Sequence, residues 1–90
     1  MDDWKQRTEI LVGKDGVERL AAAHVLVVGL GGVGAYAAEQ LARAGVGEMT
    51  IVDSDTVSVT NKNRQLLALD STVGRYKTEV MAERIRDINP

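Results

Sequence analysis

Four glycines, an aspartate and a pair of cations carry the chemistry this chain can offer. Gly29, Gly31, Gly32 and Gly34 stand in the run GLGGVG, directly after the apolar stretch Val25-Leu26-Val27-Val28. In such a run the first glycine permits a tight turn and the second lets backbone amides approach a phosphate. The last brings the following helix close to the strand. Asp53 closes the next apolar stretch, EMTIVD, nineteen residues beyond Gly34. An acid at that distance, at the C-terminal end of the second strand, is placed to accept hydrogen bonds from ribose hydroxyls. Asp55 follows, where it either touches the same ligand or caps the loop. Asn61, Arg64 and Lys77 come next in chain order. Arginine holds two phosphate oxygens at once, and lysine supplies a mobile point charge. Two cations beyond the needs of a diphosphate point to a triphosphate, whose charge grows as pyrophosphate leaves.

The elements that must position these residues are legible from periodicity. Val25 to Val28 is too short for a helix and rich in β-branched residues, the pattern of a strand buried on both faces. After the glycines, Val33, Ala37, Leu41 and Ala44 recur at helical spacing, and Gly45 ends the helix as its C′ residue. The start of that helix turns free amides and the positive end of its dipole toward any anion above the strand. Glu48 to Asp53 reads as the second strand. Residues 55–63 read as loop, 64–69 as a short helix, and 73–88 as a longer helix capped by Asp70, Ser71 or Thr72. Val73, Val80, Met81, Ile85 and Ile88 form the apolar stripe of that helix. Lys77 lies on the stripe near the helix start, where a cation opposes the dipole and an anion would compensate it. Arg84 also interrupts the stripe. Ahead of the first strand, residues 4–12 are weakly helical with Gly13 as a stop, and Asp15 caps a second short helix over 16–23. His24, at the strand start, reads as structural.

The order is therefore α/β. It describes a Rossmann-like βαβα nucleotide-binding unit, the first half of a doubly wound, mainly parallel sheet, preceded by short N-terminal helices. Residues 1–90 read as the N-terminal part of a single nucleotide-binding domain, with 1–23 as a helical arm and 24–90 as the core. A complete domain of this kind needs ~150 residues or more, so the chain reads as the opening half of a larger protein. Composition narrows the function classes. With 44% apolar residues and a net charge of −2, the chain is globular and lacks the polybasic face that nucleic-acid binding would require of this piece. No apolar run reaches membrane-spanning length and Met1-Asp2-Asp3 begins no signal peptide, so a cytoplasmic location is expected. The absence of cysteine excludes a disulfide framework, a thiolate zinc site and a cysteine nucleophile within these residues. No metal ligand is assigned among them. An NAD-dependent oxidoreductase domain and a dimerising remnant without nucleotide affinity remain open from the residues alone.

GLGGVG, IVDSD, TNKNRQ and Lys77 within VGRYKTE fall in order along nearly the whole chain. Together they resemble the ubiquitin-activating-enzyme-like (ThiF/MoeB/HesA) superfamily, whose members bind ATP and magnesium and adenylate a carboxylate. Within it, VTNKNRQ and EVMAERIRDINP are most similar to the tRNA threonylcarbamoyladenosine dehydratase family. Those enzymes are taken to activate the threonylcarbamoyl carboxylate of a modified adenosine with ATP, then close it to a cyclic form. The sulfur-carrier adenylyltransferases of thiamine and molybdopterin synthesis, which act on a small protein ending in glycine, usually read closer to SNLQRQ at this place. The resemblance implies that Gly29, Gly31, Gly32 and Gly34 form the phosphate turn, that Asp53 holds the ribose, and that Arg64 and Lys77 bind the triphosphate with Asn61 beside them. It also implies a homodimer in which an N-terminal arginine reaches the neighbouring subunit's site. Arg7 is the nearest match, although Trp4 and Ile10 flank it where relatives often carry a second arginine, and an ordinary surface role stays open. The magnesium-binding aspartate and any catalytic cysteine are implied beyond Pro90. The full-length protein is then an enzyme with tRNA as substrate, and the chain alone is expected to be inactive.

Overall fold

The computed structural model describes residues 3–90, and residues 1 and 2 of the expected arm lie outside the described residues. Strands β1 (His24–Val28) and β2 (Glu48–Val52) pair in parallel, with His24 opposite Glu48 and Val28 opposite Val52. A parallel pair needs a crossover, which helix α2 (Gly34–Ala44) supplies. Its buried face is built from Ala35, Ala38 and Ala42, small side chains that let the helix lie close to the sheet. Helix α3 (Lys77–Ile88) packs Val80 and Met81 into the same core, which is closed by Leu30, Val57 and Leu67. The N-terminal helix α1 (Gln6–Ala22) follows a 3-10 turn over Asp3–Lys5 and is broken at Gly13, whose φ of +78° departs from the helix. The expected stop at Gly13 is therefore real, and the helix resumes beyond it. His24 spans the strand pair, 2.8 Å from Glu48 Oε2 and 2.6 Å from Thr50 Oγ1, which is the structural role expected of it.

Three expectations are corrected. β1 is not covered on both faces: Val25 and Val27 turn toward the helices, while Leu26 and Val28 are 62% and 71% exposed. The strand pair is layered on one side only within the described residues. The long helix begins at Lys77 rather than at residue 73, because Gly74 has a φ of +90° and Tyr76 pairs in an isolated antiparallel bridge with Thr56. The short helix falls over Val59–Asn63, not 64–69. Ser58 and Asn61 form a capping box that starts it early. The Arg84 interruption has a partner: its guanidinium binds Glu39, which is buried on α2 and also lies 3.7 Å from Arg43.

Candidate functional site

The glycine run performs two different steric tasks. Gly29 has a φ of +90°, and its amide donates to the Val52 carbonyl at 2.7 Å, carrying the strand pairing one step past β1. A Cβ on Gly34 would fall on the Gly29 carbonyl. Only glycine lets α2 begin against the strand end, as the spacing predicted. The middle of the run is open instead. A Cβ on Gly32 would meet nothing within 4 Å, and one on Gly31 would meet only Gln65 Nε2 at 3.7 Å. The amides of Gly31, Gly32, Val33 and Gly34 find no backbone acceptor among the described residues. Free donors at a helix start, with open space above Gly32, are the geometry that suits an anion.

Asp53 sits at the end of β2 and ties the second strand to this turn. Its Oδ2 accepts from the Leu30 amide at 2.7 Å and its Oδ1 accepts from the Asp55 amide at 2.8 Å. Burial pushes its carboxyl upward, but the amides of Leu30 and Asp55, followed by the positive charge of Lys77, outweigh it and hold the pKa below its ordinary value. Each carboxylate oxygen has a further lone pair, so acceptor capacity remains for ribose hydroxyls. An open cleft of about 340 Å³ lies beside it, lined by Val28, Gly29, Val52, Asp53, Ser54 and Asp55. A second cavity, of about 390 Å³, lies at the other end of β2 against the C-terminal turns of α2 and α3 and contains none of the predicted residues.

Lys77 is brought to the Asp53 end of β2 because two loops are laced together. Val57 N donates to Arg75 O at 2.8 Å, Gly74 N to Val57 O at 2.8 Å, and Lys77 N to Asp55 O at 3.0 Å. The first residue of α3 is thereby held beside the end of β2. Lys77 is buried, with 6% of the residue exposed. Its ammonium forms no ion pair within 4 Å among the described residues. A lysine buried at a helix start without a bonded anion is an available cation.

The remaining predicted residues are placed differently. Asn61 spends its side-chain oxygen on the Ser58 amide at 2.9 Å, and its carbonyl accepts from the Arg64 and Gln65 amides at 3.2 and 2.9 Å. It shapes the loop. Arg64 is exposed, and its guanidinium donates to Asn63 Oδ1 at 2.9 Å. The Asp55 side chain is exposed, while its backbone contacts both Asp53 and Lys77. Arg7 is exposed on α1. One residue the sequence reasoning passed over is Gln65, which is buried against the turn. Its signal was a carboxamide next to the apolar residues Leu66, Leu67 and Ala68.

Strand, glycine turn, helix and parallel strand with an acid at its end define a Rossmann-like nucleotide-binding unit. The chain belongs to the ThiF family, whose model matches residues 5–90. It is 55% identical over 92 residues to the tRNA threonylcarbamoyladenosine dehydratase of Escherichia coli (strain K12), covering 99% of this chain and 34% of that protein. It is 52% identical over 86 residues to the molybdopterin-synthase adenylyltransferase of Salmonella typhimurium, covering 93% of this chain and 34% of that one. The crystal structure of the E. coli dehydratase in complex with ATP matches the fold with a TM-score of 0.94, over 100% of this chain and 38% of that chain. The chain thus spans about a third of the length of the curated relatives it matches.

Proposed function

We propose that these residues are the ATP-binding portion of an adenylating enzyme, and that the whole protein is a tRNA threonylcarbamoyladenosine dehydratase. The observation that carries the reading is the meeting of three features at one end of the strand pair: the acceptor-free amides of Gly31 to Gly34, the Asp53 carboxylate and the buried, unpaired Lys77. The ATP complex of a relative with this fold at 55% identity supports the same ligand.

In this reading the turn amides bind phosphate oxygens and Asp53 accepts from the ribose hydroxyls. Lys77 faces the triphosphate. Activation forms a bond between the substrate carboxylate oxygen and the α-phosphorus while the bond to pyrophosphate breaks. Lys77 then balances charge that grows on the leaving group, where a fixed cation is most effective. Arg64 joins by exchanging its single hydrogen bond to Asn63 for phosphate oxygens. That exchange costs little, because a single exposed bond from the guanidinium is traded for charge-assisted bonds to phosphate oxygens. Arg7 acts from the second subunit of a homodimer. No cluster of three or more metal-ligating side chains occurs among the described residues. Magnesium, which supplies charge neutralisation on the phosphates, is assigned here to a ligand outside them. No described helix is long and apolar enough to cross a membrane, and a cytoplasmic location accords with the reading.

The test uses the full-length protein. ATP titration of the parent and of Lys77→Met should show an affinity loss of about tenfold or more, the worth of one charge-assisted hydrogen bond, with NAD failing to compete. ATP–pyrophosphate exchange should then depend on tRNA carrying the threonylcarbamoyl group. NAD binding with no ATP binding would overturn the adenylation reading. Exchange that responds only to a carrier protein with a glycine tail would assign the substrate to the sulfur-carrier adenylyltransferases, which the 52% identity to one of them keeps in view.

A further inference from the structure

Gln65 is a carboxamide in an apolar layer. It is 9% exposed and lies between the capped turn over Val59–Asn63 and the core residues Leu67 and Ala68. Its Oε1 is fully buried and has no hydrogen-bond partner among the described residues. Its Nε2 points at the glycine turn, 3.7 Å from where a Cβ on Gly31 would stand. A buried acceptor left without a donor is destabilising, and an aliphatic side chain of similar volume would avoid the penalty. The pose is therefore not accounted for by the side chain's own contacts. What it achieves is to present an amide N–H beside four backbone amides that also lack acceptors.

We propose that Gln65 is a further ligand-contacting residue, its Nε2 donating to a phosphate oxygen of the anion seated on the Gly31–Gly34 amides. This rests on the nucleotide reading of the turn. The carboxamide adds a directed donor without adding charge. The backbone fixes its reach. Gln65 N is tied to Asn61 O at 2.9 Å and Ala68 N to Gln65 O at 3.1 Å, so the side chain enters from a closed turn rather than a loose loop.

The experiment compares ATP and adenosine binding, together with thermal denaturation, in full-length parent, Gln65→Leu and Gln65→Met. Contact with phosphate predicts ATP affinity about tenfold weaker, adenosine affinity unchanged within about twofold, and a melting temperature equal to or above the parent's. The unbranched Gln65→Met decides the matter if the branched side chain disturbs the core. Equal ATP affinity in parent and variants overturns the proposal. So does a parallel loss of melting temperature, ATP affinity and adenosine affinity, which marks a packing residue only. A parent that takes no ATP overturns the nucleotide reading itself, and is told apart from the other outcomes because it appears before any substitution.

Discussion

Gly34→Ala and Gly32→Ala are the same chemical change two residues apart, and the structure predicts opposite consequences. In an ordinary helix, replacing glycine by alanine stabilises by about 1 kcal/mol. At Gly34 the new Cβ would fall on the Gly29 carbonyl. That obstacle is backbone, anchored by the Gly29 amide on Val52 at 2.7 Å, so no rotamer change relieves it. Either α2 must lift from the strand end or the turn must rebuild. Overpacking of this kind costs about 3 kcal/mol, which exceeds the helical gain and leaves a net loss of about 2 kcal/mol. In a protein of 150–250 residues each kcal/mol moves the melting temperature by about 2–4 °C, so Gly34→Ala should melt roughly 4–8 °C below the parent. At Gly32 a Cβ meets nothing within 4 Å, and reduced freedom of the unfolded chain makes the change neutral or slightly stabilising. Its effect should appear only with ligand, as weaker ATP binding at an unchanged melting temperature. Thermal scans and ATP titrations of the full-length variants provide the comparison. A Gly34→Ala protein as stable as its parent, or a Gly32→Ala protein that loses as much stability, would refute the division between packing glycine and cradle glycine.

Two further tests address electrostatics. The Asp53 carboxyl has a folded pKa held below its ordinary 3.8, so the stability it contributes is present above that value and is lost as pH falls through the folded pKa. The gap in denaturation midpoint between parent and Asp53→Asn should hold steady from about pH 7 to pH 5 and shrink below about pH 4. A gap that widens on acidification would contradict the assignment. Arg84→Met leaves the buried Glu39 carboxylate with only Arg43, 3.7 Å away. It should lower stability in urea by about 2–3 kcal/mol, toward the low side of buried pairs because Arg84 itself is partly exposed. Glu39→Gln should cost less, since it lets the arginine turn to water. Equal losses from both would show that the asymmetry in burial carries no weight.

How much of this was legible beforehand depends on the range of the interactions involved. β1, the glycine turn, α2 and β2 follow from local pattern, because each is set by residues adjacent in sequence. Their boundaries match to within a residue or two. The exposed face of β1 was misread because a continuous apolar run reports preference for burial, while coverage depends on which elements are present. The stretch 55–76 was misread because its conformation is set by pairing across it. Thr56 meets Tyr76 and Val57 meets Arg75 and Gly74, contacts that no helical stripe reveals. Lys77 could be named from its odd position on an apolar stripe, and Asp53 from its place at the end of the second strand. Gln65 was marked only by the apolar residues beside it, because a glutamine carries no periodic signal of its own.

The long-range lacing also explains why the candidate site hangs on a carboxylate more than on the glycines. Asp53 accepts from Leu30 in the first crossover and from Asp55 in the second, and Lys77 N is held by the Asp55 carbonyl. The glycine turn, Asp53 and Lys77 therefore share one short chain of hydrogen bonds, each link of which is backbone or Asp53 itself. With two acceptor positions engaged by the protein, the carboxylate is oriented before any ligand arrives, and its remaining lone pairs face open space. Such preorganisation lowers what binding must spend on ordering. Arg64 has no comparable anchor beyond its own backbone and Asn63. Asp53, the turn and Lys77 are set in advance by the fold, and in the proposed reading Arg64 is recruited only when a triphosphate arrives.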